Sequence, residues 1–121
     1  MPKKSITSPK PVVTYPALVG KLLAQRREQI GRKQGAVAVA LGLSQSAYSR
    51  LESGESVLNL SQLRNVCAEL GTAPAQVLRD AEQCELQLRK QGVDVVAEKS
   101  INPAAIAIGL GLLAALLLSG K

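Results

Sequence analysis

Between Ala17 and Gln91 the apolar residues recur every three or four positions, the period of helices with one buried face. Leu18, Leu22, Leu23 and Ile30 make the first such face, with Arg26, Glu28 and Gln29 off it, and Gly31 closes the segment. A second helix is predicted from Gln34 to Leu41, with Val37, Ala38 and Leu41 facing inward and Gly42 ending it. Ser44 is placed to cap a third, which runs through Glu52 to Gly54. Asn59 caps a fourth, whose stripe is Leu60, Leu63, Val66, Cys67 and Leu70 before Gly71. Thr72 as cap and Pro74 at the first helical position open a fifth, extending to about Gln91. Five helices joined by tight glycine turns describe an all-α domain over residues 16–91.

The flanks have a different pattern. Residues 1–15 carry Pro2, Pro9, Pro11 and three lysines without an apolar run, and are expected to be a disordered basic arm. Residues 92–102 are polar and irregular, as a linker would be. After Pro103 the sequence AAIAIGLGLLAALLL has no charged or strongly polar side chain. Residues 103–119 are therefore expected to form a single transmembrane helix, although Pro103 to Leu118 is short for a bilayer core of about 30 Å. A helix this apolar on every side needs cover that five short helices do not supply. A buried dimerisation helix is the alternative. Arg89, Lys90 and Lys99 on the N-terminal flank would keep the domain on the cytoplasmic side of the cell inner membrane, single-pass and tail-anchored. Ala107, Gly111 and Ala115, spaced by four, would let two such helices approach closely. On the fifth helix Val77, Ala81, Cys84 and Leu88 form a short heptad-like seam, of which Cys84 and Leu88 favour a dimer contact.

Composition removes several functions. The 121 residues include no His, only two cysteines, Cys67 and Cys84, and only two aromatic residues, Tyr15 and Tyr48. The usual zinc patterns, Cys-His nucleophile pairs and the commonest general base are absent, and no phosphate loop or paired-carboxylate pocket is visible. No metal, cofactor or enzyme activity is expected. Charge adds a direction: of the net +6, the residues up to Gly54 hold nine basic side chains against Glu28 and Glu52 alone. A field concentrated on one part of a small protein suits a polyanion, either nucleic acid or anionic lipid.

The segment QGAVAVALGLSQSAYSRLE, residues 34–52, meets the needs of a helix-turn-helix. Ala38 is small where two helices must cross closely, Gly42 allows a tight turn, and Ser44, Gln45 and Ser46 begin the second helix with short polar groups. Tyr48 and Leu51 face inward, leaving Gln45, Ser46, Ser49 and Arg50 outward, with the reach to meet base edges and phosphates.

With VGKLLAQRREQIG before this segment and LSQLRNVCAELGTAPAQVL after it, the chain resembles the Cro/repressor (XRE-like) family from about Val19 to Leu78. The resemblance implies a five-helix phage-repressor-like domain that binds double-stranded DNA, commonly as a homodimer. It implies that Gln34, aided by Lys33, binds a phosphate, that Gln45 and Ser46 read bases, and that Ser49 and Arg50 touch bases or backbone. Lys33, Gln34, Ser44, Gln45, Ser46, Ser49 and Arg50 are thus the expected DNA-contact set. Arg27 and Glu52 match a structural ion pair between helix one and the recognition helix. Two departures stand out: Arg32 occupies a position the family prefers apolar, and Gly35 inside the second helix costs about 1 kcal/mol relative to Ala.

The function expected from the whole is a membrane-anchored, sequence-specific regulator of transcription, partnered by DNA, the membrane and a second copy of itself, with another membrane protein as a further candidate. The alternative is a membrane-tethered scaffold, similar in outline to bacterial rod-shape scaffold proteins, that uses the same fold to bind protein.

Overall fold

The computed structural model describes residues 10–97 and 103–119. Along the chain lie β1 (Val12–Thr14), α1 (Tyr15–Gln29), α2 (Gln34–Ala40), α3 (Gln45–Ser53), α4 (Leu60–Glu69), α5 (Pro74–Lys90), β2 (Asp94–Val96) and α6 (Pro103–Ser119). Helices α1 to α5 close around Leu18, Leu23, Val37, Tyr48, Leu51, Val66 and Leu70. Their ends have local causes. The Thr14 hydroxyl accepts the Ala17 amide at 3.1 Å, and Asn59 and Gln62 exchange side-chain and backbone hydrogen bonds across the first turn of α4. Pro74 sits in the first turn of α5 as expected, but Ala73 is the capping residue, without a side-chain bond, and Thr72 lies one position too early.

Two expected irregular segments are ordered. Val12–Thr14, within the presumed basic arm, pairs in parallel with Asp94–Val96, within the presumed linker. Val13 faces Val95 in the register, and both are buried. The remainder of the arm, residues 1–9, and of the linker, 98–102, lies outside the described residues. The small sheet forms because burying Val13, Val93 and Val95 against Leu88 covers apolar surface that α1 and α5 leave open. The fold is therefore not purely α-helical: six helices and a two-stranded sheet make it up among the described residues.

The C-terminal helix packs on this sheet. Ala105 and Leu113 are buried, and at Gly109 a side chain would run into the Val12 carbonyl. The Gln25 side-chain amide donates to the Leu117 carbonyl at 3.4 Å, tying the far end of α6 to α1. No described helix is long and apolar enough to cross a membrane. At 17 residues α6 is about 25 Å long, short of the bilayer core. The expected transmembrane helix is overturned, and with it the single-pass inner-membrane location; the membrane or membrane-protein partner finds no support. The expectation failed because β1 and β2, too short to read from sequence, widen the surface on which an apolar helix can lie. Only one side of α6 is covered, however. Ala107, Gly111 and Ala115, expected to join helices in a bilayer, lie on its exposed side with Ile108 and Leu118.

The seam on α5 is also resolved: Val77, Ala81, Cys84 and Leu88 are all buried within this one chain. Cys84 and Leu88 face the domain's own core, so neither offers a dimer contact.

Candidate nucleic-acid interface

The α2–α3 unit is held by its turn and by the helix beneath it. Gly42, at φ 71°, makes the left-handed step between the helices, and the Leu43 amide bonds the Ala38 carbonyl at 2.9 Å. Ser44 caps α3 by accepting the Ala47 amide at 3.1 Å, which fixes where the helix begins. Helix α1 crosses the end of α3 at Gly20, where a Cβ would strike the Glu52 and Leu51 carbonyls. Gly54, at φ 84°, ends α3 directly against Ala17.

Beneath the unit lies a charged knot. Arg27 donates through Nε to Glu52 Oε2 at 2.7 Å and through Nη2 to Oε1 at 3.1 Å, while its Nη1 donates to the Arg32 carbonyl at 2.8 Å. Both side chains are buried, with Arg27 8% and Glu52 6% exposed. Burial pushes the Glu52 carboxyl up, but hydrogen bonds from Arg27 and Gln34 outweigh it and hold the group below the ordinary carboxylate range. The same bond to Glu52 raises the Arg27 guanidinium further against the opposing effect of burial. The Tyr48 ring is buried beside the pair, and burial with the neighbouring carboxylate drives its phenol well above its usual range.

Of the expected contact residues, Lys33, Ser44, Gln45, Ser46 and Arg50 are exposed, and Gln34 and Ser49 are half-buried. Gln45, Ser46, Ser49 and Arg50 project along one outward side of α3. Lys33, Gln34 and Gln45 line a hollow of about 420 Å³ with Gly31, Arg32 and Gly35, which joins the start of α2 to the start of α3. At Gly35 a Cβ would meet only the Gln45 side chain, at an ordinary contact distance of 3.6 Å, so space alone does not require a glycine there. The Gln34 side-chain amide donates to Glu52 Oε1 at 2.8 Å, so the buried pair orients the residue at the mouth of this hollow.

Two arginines have roles that patterning missed. Arg26, expected on a free surface, donates to the Leu70 and Gly71 carbonyls at 3.0 and 3.2 Å and so closes the C-terminal end of α4. Arg32, out of place by family preference, donates to the Glu69 carbonyl and carboxylate at 3.1 and 3.3 Å, joining the α1–α2 connection to α4. Arginines beside helix C-termini carry a signal, but one of tertiary placement rather than spacing. The described residues hold no group of His, Cys, Asp and Glu able to bind a metal ion.

Residues 18–81, more than half of the chain, match a family model described as a helix-turn-helix domain. Among solved structures, one of the clp gene regulator ClgR from C. glutamicum is similar at 29% identity and a TM-score of 0.55, over 57% of this chain and 90% of that one. A second structure of ClgR from Corynebacterium glutamicum matches at 23% identity and a TM-score of 0.62, over 93% of this chain and 98% of that one. The longer match shows a fold shared beyond the helix-turn-helix unit. No curated protein matches the sequence.

Proposed function

Because the chain belongs to this helix-turn-helix domain family, we propose that it binds double-stranded DNA as a transcriptional regulator, with the first turns of α3 in the major groove. One observation carries the reading: Gln45, Ser46 and Arg50 stand exposed on one side of α3, beside the hollow that Lys33 and Gln34 line. Gln45 and Ser46 supply the hydrogen-bonding groups that base edges demand, and Ser49 and Arg50 reach bases or backbone. Lys33 and Gln34 hold a phosphate and set the register. Ser44 serves mainly through its cap, which fixes where the first turn points. The similarity to a protein named as a gene regulator supports the same class. The chain acts without catalysis and without a cofactor.

The regulator works as a homodimer, and the uncovered side of α6 is its contact. Around Gly111 that side is self-complementary: in an antiparallel pair with its twofold at Gly111, Ile108 meets Ala114 of the second copy, and Leu118 meets Ala104. Large side chains thus face small ones at these two positions, and Ala107 meets Ala115 between them, a pattern an isologous contact can use.

Fluorescence anisotropy of the full chain against a random-sequence duplex, titrated with salt, tests the DNA reading. Binding that falls steeply with salt is expected, with Gln45→Ala and Ser46→Ala abolishing preference among duplexes. If no duplex binds at low salt, the fold serves as a protein-binding scaffold instead.

A further inference from the structure

On the flank of the domain away from the start of α3, a cavity of about 460 Å³ opens between α1, the α3–α4 connection, α5 and β2. Its walls are Val19, Leu63, Leu78 and Val95, with Pro16 and Val57 at the rim. Val57 is 66% exposed and Leu78 36%, so large aliphatic side chains stand at the opening without cover. The volume and apolar lining fall in the range of small-molecule sites, which also need a few polar groups to orient the ligand.

Those polar groups are one-sided in charge. Glu85 is the carboxylate in the wall. Its Oε2 accepts both bonds from Arg89, at 3.0 and 2.8 Å, while Oε1 accepts none among the described residues. One turn earlier on α5, Glu82 accepts the hydroxyl of Tyr15, which lines the cavity, at 3.0 Å, and Asp94 takes the remaining arm of Arg89 at 2.8 Å. Two carboxylates, Glu85 and Asp94, share the one Arg89 guanidinium, and Glu82 has no ion pair among the described residues, so carboxylates outnumber cations on this flank in a chain of net charge +6. An anion of either the nucleic-acid or the fatty-acid kind is repelled here, and a cation is drawn in.

We propose that this cavity is a binding site for an amphipathic organic cation, with its apolar body against Val19, Leu63, Leu78 and Val95 and its ammonium group at Glu85 Oε1. The charge complementarity and the apolar walls select the occupant together: an inorganic cation gains nothing from the walls, and a neutral hydrocarbon gains nothing from Glu85. Pro16 and Val57 link the site to the recognition helix, because Ala17 abuts Gly54 at the end of α3 and Val57 follows it in the chain. An effect of the ligand on DNA rests on the function proposed above, but binding of the ligand does not.

The test uses three ligands that share one body: 1-naphthylmethylamine, 1-naphthalenemethanol and 1-naphthaleneacetate, titrated into the full chain and followed by methyl NMR. The amine should shift the Val19, Val57, Leu78 and Val95 methyls and bind at least about tenfold more tightly than the acetate, a difference of about 1.4 kcal/mol. Glu85→Gln, which keeps an acceptor for Arg89, should reduce the amine to the affinity of the alcohol, and Leu78→Phe should weaken all three by filling the cavity. The proposal is overturned if the acetate binds as well as the amine, if Glu85→Gln leaves the amine unchanged, if the shifts fall on α6 instead, or if no methyl moves. DNA binding of the ligand-free chain, measured beside it, separates failure of this site from failure of the DNA reading.

Discussion

Arg27 grips both carboxylate oxygens of Glu52, so the last turn of α1 is bound to the end of α3 through two parallel hydrogen bonds out of reach of water. Removing the arginine strands a buried carboxylate, a change that costs about 3–5 kcal/mol. Arg27→Ala should therefore lower the midpoint of urea unfolding most. Arg26→Ala, which frees two carbonyls at the end of α4, should cost about 1–2 kcal/mol. Arg64→Ala, on the exposed side of α4, should change little. A ranking with Arg64 at or above Arg27 would remove the pair from the account of stability.

Acid should unfold the protein through the same group. Glu52 is held below its ordinary range when folded, so its contribution is fully present above the unfolded carboxylate pKa and is lost as pH falls through the lower, folded value. Unfolding free energy measured from pH 6 downward should decline below about pH 4.5, and Glu52→Gln should flatten that decline. A variant with the same acid slope as the parent would place the sensitivity elsewhere.

Lys33 and Gln45 should separate affinity from discrimination. Lys33→Ala is expected to weaken every duplex alike and reduce the salt slope by about 1, because it removes one phosphate contact. Gln45→Ala should leave that slope unchanged and remove about 1–3 kcal/mol of preference for the best sequence. Anisotropy titrations at four salt concentrations read both quantities. Identical slopes for Lys33→Ala and the parent protein would clear Lys33 of phosphate contact.

Gly109→Leu should detach α6. Its side chain would occupy the place of the Val12 carbonyl, and β1 has no room to withdraw while paired with β2. Gly111→Leu, on the open side where nothing lies within 4 Å, should keep α6 docked and instead disturb the contact between copies. Limited proteolysis between β2 and α6 reports the first, and sedimentation velocity the second. If both variants behave alike by both measurements, the two sides of α6 are not distinct in the way described.

What the residues announced was local. Ser44, Asn59, Pro74 and the glycines after each helix act within one turn of where they sit, so their spacing alone marks α2 to α5. The helix-turn-helix segment was legible for the same reason, since Ala38, Gly42 and Ser44 serve contacts a few positions away. The strands were not: three residues are too few for an alternating pattern to stand out, and Val12–Thr14 finds its partner only at residues 94–96. The apolar helix misled because hydrophobicity on every side describes a bilayer span and a docked helix equally well, and only the tertiary surface beneath Gly109 tells them apart. The inward bond of Gln34 to Glu52 was likewise invisible, being set by how α2 crosses α3.

The pairing of Val12 with Asp94 spans 82 positions, and it sets an order of events. Helices α1 to α5 contact one another directly and can condense once α5 has left the ribosome. The sheet cannot close until the chain beyond α5 has emerged, and α6, which packs chiefly on β1, emerges later still. Closing so long a loop is slow relative to helix formation. Of the described elements the one made last is thus the last to find its place, and until then Val13, Leu88 and the whole of α6 are bare. A nascent chain would hold a formed helix-turn-helix together with its most adhesive surface, which makes the interval before closure the time when this protein most needs a chaperone.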